Sequence, residues 1–277
     1  MTNLRSFKNI LFISACVLSL IIALCFMISI FTTLITKGGG AINWQLFFAS
    51  TPSPGGQGGL ANAIVGSLVI TTLAILLATP IAILTAVYLV EYGQKRRLAR
   101  IVQFANDLLL SVPSIIVGLF IFAIVISRVG HYSAYSGALA LAIIALPIIT
   151  RNTEDMLQLV PVQLREAGIA LGVPRWRITL MILSRAARPG IITGILLAIA
   201  RVMGETAPLL FTALSNQFWS LNLNQPMANL PMVIFQYALS PYQSWQQLAW
   251  AGALIITCFI LITSFISHYF LQARKHS

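Results

Sequence analysis

The sequence predicts an all-helical integral membrane protein with six membrane-spanning helices. Of its 277 residues, 58% are hydrophobic and only 8% are charged. A soluble domain is roughly half apolar and has about a quarter to a third of its surface positions charged, so this composition excludes a soluble enzyme. In addition, the apolar residues form six long runs, which polar or Gly/Pro-rich connections separate.

The limits of each span follow from the charges and the helix-breaking residues. A run of about 20 apolar residues can cross the hydrocarbon core of a bilayer. The Gly/Pro-rich segment 51–59 interrupts the charge-free stretch 38–90 and separates the first two spans. The fourth run is short, which leaves its beginning open. We predict spans at 10–36, 60–90, 101–127, 137–150, 190–213 and 248–270.

The basic residues predict which connections lie in the cytoplasm. Cytoplasmic loops of membrane proteins retain Lys and Arg, and alternate connections of this chain hold very different numbers of them. One set holds only Lys37 and Arg128, while Arg201 lies inside the fifth span. The formal net charge of +11 is thus a topology signal and not a nucleic-acid-binding patch. The other set, which we assign to the cytoplasm together with both termini, holds Arg5, Lys8, Lys95, Arg96, Arg97, Arg100, Arg151, Arg165, Arg175, Arg177, Arg185, Arg188, Arg274 and Lys275.

The long connection 151–189 has the pattern of two helices with a break between them. Pro161 can begin a first helix that continues to Ala170, since Pro is favoured in the first turn of a helix. Gly172 can end that helix with a positive φ, and Pro174 can begin the second one. A helical hairpin on the cytoplasmic side is therefore expected.

One face of this hairpin combines charge with apolar groups. Arg165, Ile169 and Gly172 are spaced to lie near one face, as on a surface that docks into the cleft of a partner. The alternative is a hairpin that lies on the membrane through Trp176 and the neighbouring arginines.

Two ionisable residues inside the fifth span predict a functional position. At 1.5 Å per residue, Arg201 lies about 18 Å from Pro189 along a helix, and Glu205 about 6 Å further. Charged groups at membrane depth are costly, and at positions i and i+4 these two can neutralise each other. Pro208 disturbs the carbonyl of Gly204 and is expected to kink the helix beside them. We predict that this face lines a translocation path; a purely structural ion pair between helices is the alternative.

The outer connection 214–247 has no charged residue but contains aromatic residues, among them Trp219 and Trp245. It would suit a plug over the outer mouth, a dock for a substrate-delivering protein, or an aromatic belt at the membrane interface. The sequence leaves these three open.

The chain has no motif for nucleotide, metal or nucleophilic chemistry of its own. None of its lysines follows a glycine, so a GxxxxGK[ST] phosphate loop is absent. His131, His268 and His276 lack the spacing of metal ligands. We therefore expect no enzymatic activity, no catalytic residue, no metal and no bound cofactor, and we expect a separate subunit to carry any ATP.

The break between the two hairpin helices carries a family resemblance. Glu166-Ala167-Gly168, three residues, Gly172, nine residues and Ile182 resemble the EAA motif of ABC importer permeases, EAA-x3-G-x9-I-x-L-P, which inserts into the ATPase subunit. Here Gly168 replaces the second Ala of the motif, and Ser-Arg at 184–185 replaces its Leu-Pro. The resemblance implies that Glu166, Ala167, Gly168 and Gly172 couple the chain to an ATPase, with Glu166 as the main contact.

Further motifs are similar to those of one branch of these importers. The most specific is ARVMGETAPLLFTA at 200–213; the others are VPSIIVGLF at 112–120, LPI at 146–148, NW at 43–44 and ANAIVG at 61–66. Over nearly the whole chain they resemble the A-type membrane permeases of phosphate-specific ABC importers. The resemblance implies a type I ABC importer permease (MetI-like) core over 60–277, with its coupling loop at 151–189. Residues 1–59 would form an N-terminal transmembrane helix and an outer loop.

The same resemblance implies the function. The chain would be the membrane-spanning permease subunit of an ATP-driven importer of inorganic phosphate in the bacterial inner membrane. Its partners would be a homologous second (C-type) permease, two ATPase subunits that hold ATP and Mg²⁺, and an external phosphate-binding protein. The substrate pathway would include Arg201, Glu205, Thr206 and Pro208, with Arg201 offering a planar donor fork to phosphate oxygens. Two alternatives stay open: a permease for another oxyanion such as sulfate or molybdate, and a non-transporting membrane scaffold for signalling.

Overall fold

The computed structural model describes residues 2–93 and 96–272, with side chains described over 8–93 and 96–269. Lys95, Arg274 and Lys275, which entered the orientation argument, lie outside the described residues. π-Helical turns occupy Tyr88–Tyr92, Phe122–Ile126 and Ile178–Leu183. The α-helices are α1 (Thr2–Gly39), α2 (Trp44–Phe48), α3 (Ala61–Val87), α4 (Arg97–Ser111), α5 (Ser114–Ile121), α6 (Ser127–Val129), α7 (Ala134–Gln158), α8 (Val162–Ala170), α9 (Arg175–Arg177), α10 (Ser184–Val202), α11 (Ala207–Leu210), α12 (Leu230–Ala238) and α13 (Gln243–Gln272).

Among the described residues, five continuous helical stretches are long and apolar enough to cross a membrane. A sixth crossing is possible if the bent pair formed by Arg97–Ser111 and Ser114–Val129 crosses as one unit. The prediction of an all-helical, multi-pass membrane protein is confirmed. The five stretches are Lys8–Gly39, Ala61–Tyr92, Ala134–Gln158, Arg175–Val202 and Gln243–Tyr269.

The third predicted span, 101–127, is not one straight helix. The axes of α4 and of the helix that follows it are bent by 107° at Val112 and Pro113. Both residues have extended backbone, with ψ values of 128° and 133°. Pro113 lacks an N–H and disfavours helical backbone at the residue before it, so the apolar run continues while the helix does not.

The fourth and fifth spans also differ from their predicted limits. α7 begins at Ala134, where the Ser133 hydroxyl accepts a hydrogen bond from the N–H of Ser136, and it continues beyond 150 to Gln158. The fifth helical stretch begins in the predicted loop, at Arg175, and ends at Val202 rather than near 213. The connection between the fourth and fifth spans is therefore only 159–174, and it contains α8.

The core of the described structure lies between α3, α7 and α10. α3 packs along α7, α7 packs against α10, and α10 packs against α13. Small side chains at these contacts let the helix backbones approach closely, as in other membrane bundles. The buried alanines in this core include Ala74, Ala78, Ala82, Ala138, Ala142, Ala145 and Ala198.

α1 lies at the edge of this bundle. The most apolar part of its spanning stretch buries none of its residues in the chain, and its contacts are made with α13. Near its end the Lys37 ammonium lies 5.1 Å from the centroid of the Trp250 ring, and Gly38 packs directly on the backbone of Trp250. The apolar face of α1 is therefore left for lipid or another chain.

The uncharged segment 214–247 folds back on the bundle through α12. The side chain of Asn229 is fully buried: its Oδ1 accepts from the N–H of Met232 (3.1 Å) and its amide donates to the carbonyl of Leu214 (2.9 Å). Tyr237 of α12 stacks on Trp245 of α13 with ring centroids 4.3 Å apart. Asn229 thus both begins α12 and ties it to the segment before it.

Candidate functional site

Arg201 lies in the last turn of α10 and points away from the core. Its neighbours Ala198 and Val202 are buried against α3 and α7, which fixes the rotation of the helix at this point. The Arg201 side chain is consequently 64% exposed on the isolated chain. A cation on a helix of this hydropathy needs a polar partner or a water-filled space beside it.

Glu205 supplies that partner from outside the helix. The chain turns immediately after α10, with the N–H of Glu205 donating to the carbonyl of Val202 at 3.2 Å. This turn returns the carboxylate toward the guanidinium, and Arg201 Nε lies 3.1 Å from Glu205 Oε1. The Glu205 side chain is only 13% exposed. The expected pairing of Arg201 with Glu205 is present, although the helix that we expected to carry both residues ends between them.

Pro208 does not kink a membrane helix, which corrects the sequence-based expectation. It is the second residue of the short helix α11, which follows the turn. A Pro there cannot donate to Gly204, so ending the helix before it avoids a lost hydrogen bond. Pro208 is buried, and its backbone packs on Gly118 of α5: a Cβ added to Gly118 would lie 2.7 Å from the Pro208 Cα.

Arg201 opens into a groove, which we call the Arg201 groove. Its volume is about 340 Å³. Thr206 and Pro208, also predicted as pathway residues, are not among the residues that line it; Thr206 instead precedes α11 and accepts from the N–H of Leu210 at 3.1 Å. Glu205 likewise lies behind Arg201 and outside the lining. The groove is lined by Leu109, Leu110, Val112, Ser114, Ile144, Pro147, Ile148, Leu197 and Arg201.

The second predicted site, at Glu166 to Gly172, has the expected helix, break and helix. α8 ends in a Schellman motif: the N–H of Val173 donates to the carbonyl of Gly168 (3.1 Å), and the N–H of Gly172 donates to that of Ile169 (2.9 Å). Gly172 has a φ of +73°, which glycine adopts without a Cβ penalty. The sequence is therefore well suited to a sharp reversal between α8 and α9.

α8 presents different residues to its two sides. Glu166, Ala167 and Ile169 are exposed and accessible to a partner. Gly168 is buried, and a Cβ added there would lie 2.9 Å from the side chain of Ile178. Since the space of a methyl group at 168 is already filled by Ile178, a glycine fits where the EAA motif has its second alanine.

Arg165 lies on the inner side of α8, not on the docking face where we expected it. Its Nη2 lies 2.9 Å from Glu91 Oε1, and its Nε donates to the same oxygen at 2.9 Å. The two remaining contacts are to backbone carbonyls, from Nη1 to Val160 (2.8 Å) and from Nη2 to Leu157 (2.9 Å). Sequence reasoning had assigned no role to Glu91; its position at the end of an otherwise uncharged span was the available signal.

Comparisons with known proteins agree with this architecture. Residues 78–276 match the family model of the binding-protein-dependent transport system inner membrane component. A phosphate transport system permease protein PstA from Pasteurella multocida is 53% identical over 271 residues, covering 98% of this chain and 97% of that protein. The PstA protein of Haemophilus influenzae is 51% identical, covering 98% and 96%.

A solved structure shares the fold at lower identity. An inward-facing structure of the MetNI methionine ABC transporter aligns with a TM-score of 0.60 at 20% identity, covering 78% of this chain and 94% of that chain. The type I importer permease core that we expected is therefore present. The chain belongs to the family of binding-protein-dependent transport system inner membrane components and, within it, to the PstA phosphate transport system permease proteins.

Proposed function

We propose that this chain is the membrane-spanning permease subunit of an ATP-driven importer of inorganic phosphate. The observation that carries the proposal is the 53% identity, over 98% of the chain, to a phosphate transport system permease protein. The Arg201 groove supports it, because a cation that opens into an otherwise uncharged groove suits an anionic substrate.

Arg201 is suited to contact phosphate oxygens as the anion passes. Glu205 binds its Nε, which leaves the Nη groups on the exposed part of the side chain able to donate. A guanidinium is a planar fork that matches phosphate oxygens in a bidentate manner. Glu205 holds the fork in place and, as a nearby carboxylate, keeps the anion from binding too tightly to leave. In this role Thr206 and Pro208 shape the turn beside the pathway rather than contact the substrate.

The groove is open along one side, so we propose that a homologous second permease completes the pathway. The exposed residues Glu166 and Ala167 of α8 would dock into one of two ATPase subunits that bind ATP and Mg²⁺, and an external binding protein would deliver phosphate. In this arrangement both termini and α8 would lie in the cytoplasm, as the positive-inside rule predicts. Closure of the ATPase pair would move α8 and reorient the attached helices between inward- and outward-facing states.

Uptake of labelled phosphate by cells tests the proposal. Phosphate-starved cells that lack this chain are compared with cells in which it is restored, and labelled sulfate is measured in parallel. We expect phosphate uptake to follow the chain and sulfate uptake not to change. Sulfate uptake that followed the chain instead would contradict the substrate, and an effect on neither anion would favour a membrane scaffold for signalling.

A further inference from the structure

The contacts of Arg165 join α8 and the end of α7 to the end of α3, which is distant from both in the sequence. α8 is attached to α7 through 159–161 and to α9 through 171–174. Glu91, the residue that Arg165 binds, lies 74 positions earlier in the chain, in the π-helical turn at the end of α3. Arg165 thus gives α8 a third attachment, to the end of α3.

The geometry of this attachment is specific. Nε of Arg165 donates to Glu91 Oε1, and Nη1 and Nη2 donate to backbone carbonyls; Nη2 also lies 2.9 Å from Glu91 Oε1. The carbonyls of Leu157 and Val160 lie at and just beyond the C-terminal end of α7, where the helix dipole favours a cation. The side chains of Arg165 and Glu91 are only 20% and 15% exposed, so solvent screens their attraction little.

Hydrogen bonds and opposite charge hold the pair beside an open space. One side of it borders a cavity of about 200 Å³, which separates α8 from the ends of α3 and α9. The cavity is lined by Val90, Glu91, Tyr92, Arg165, Ile169, Arg175, Ile178 and Thr179. Val87 and Val90 at the end of α3 pack on a buried cluster that includes Val160 and Ile178 but no residue of α8. Apolar packing therefore joins α3 to the segments on either side of α8, and the bonds of Arg165 join α8 itself to α3.

We propose that Arg165 and Glu91 form the link through which movement of α8 is transmitted to α3 and α7 during transport. The link rests on the proposed function, since it requires that an ATPase moves α8. Because α8 is attached to α7, α9 and α3, it moves as one body with the inner ends of α3 and α7. With Glu91 disconnected, α8 would still bind the ATPase through Glu166 and Ala167, but its movement would reach α3 only indirectly. Arg165 and Glu91 are therefore positioning residues for the transport cycle, and they touch neither phosphate nor ATP.

The test compares Glu91→Gln with the unaltered chain in the complete, purified transporter reconstituted in membranes. Phosphate import, ATP hydrolysis and the amount of ATPase that copurifies with the chain are measured together. Coupling free energies between sites usually correspond to about 5- to 150-fold effects, so we expect phosphate imported per ATP to fall at least fivefold. ATP hydrolysis and the copurified ATPase should change by less than about fivefold, which is below the range of such couplings.

Asp155→Asn is the matched control, because it also turns a carboxylate into an amide. Asp155 pairs with Arg151 at 3.4 Å within α7, so this ion pair cannot link two helices, and both side chains are about half exposed, at 48% and 49%. The control should import the normal amount of phosphate per ATP. Arg165→Lys, which keeps the charge but cannot reach all three acceptors at once, should give an intermediate value.

Two results would overturn the link. One is a transporter with Glu91→Gln that imports the normal amount of phosphate per ATP. The other is a parallel fall of import and hydrolysis with less copurified ATPase, which would assign the pair to assembly alone. If the unaltered transporter imported no phosphate, the proposed function would fail, and this is decided before any variant is compared.

Discussion

Replacing Arg201 by glutamine removes the cation of the Arg201 groove while keeping a polar side chain of similar length. The variant loses the Nη donors that we assign to phosphate, and it leaves Glu205 without its partner at 3.1 Å. Because Glu205 is only 13% exposed, its unpaired carboxylate would be poorly solvated and would repel an approaching anion.

The expected fall in the rate of phosphate uptake follows from the number of hydrogen bonds that the variant loses. A hydrogen bond to a charged group contributes about 1.5–3 kcal/mol, and about 1.4 kcal/mol corresponds to a factor of ten in rate. Since Nε is already bound to Glu205, we count the loss of one charge-assisted contact to phosphate. Arg201→Gln should therefore lower the rate of phosphate uptake about 10- to 150-fold.

The assay is initial uptake of radiolabelled phosphate by cells that lack the natural chain, normalised to the amount of the variant and of copurified ATPase in the membrane. Arg128→Gln is the control: Arg128 is an exposed cation that does not line the groove, and its variant should keep normal uptake. Normal uptake by an assembled Arg201→Gln transporter would refute the pathway role of Arg201 and favour a structural ion pair.

Three further variants test other parts of the structure. Glu166→Lys should uncouple ATP hydrolysis from phosphate uptake without loss of the chain from the membrane, because it reverses the charge on the exposed face of α8; normal coupling would count against a docking role. Gly118→Ala should destabilise the chain by about 1–3 kcal/mol, the usual cost of overpacking, since the new Cβ meets the backbone of Pro208. An unchanged midpoint of thermal unfolding in detergent would show that this contact is loose. Asn229→Ala should lower the same midpoint, because it leaves buried backbone groups unpaired at about 1–3 kcal/mol each. The exposed cap Asn43 is its control, and Asn43→Ala should cost about 1 kcal/mol or less.

The sequence predicted the existence of the membrane helices more accurately than their limits. The first, second and last spans agree with α1, α3 and α13, because a charge-free apolar run is sufficient to recognise them. The third and fifth were wrong in shape, since hydropathy does not report where backbone hydrogen bonding stops. Pro113 and Pro208 carried that information, and both lie where a predicted span breaks or has already ended rather than within a kinked helix.

The sequence also predicted each of the two candidate sites only in part. The break after α8 was predicted from Pro161, Gly172 and Pro174, because turn chemistry depends on neighbouring residues. The pairing of Arg201 with Glu205 was predicted from a spacing of four residues, yet it is a turn after α10 that brings the two groups together.

By itself, the sequence determined the class of the molecule, the membrane helices and the family, since composition, hydropathy and short motifs are local properties of the chain. Only the tertiary structure decided that Arg165 faces Glu91 and not a partner, and that Arg201, rather than Glu205, Thr206 or Pro208, opens into the groove. Those outcomes depend on how α3, α7, α8 and α10 rotate and pack against one another. Contacts between residues 74 positions apart are set by that packing, which no local pattern encodes.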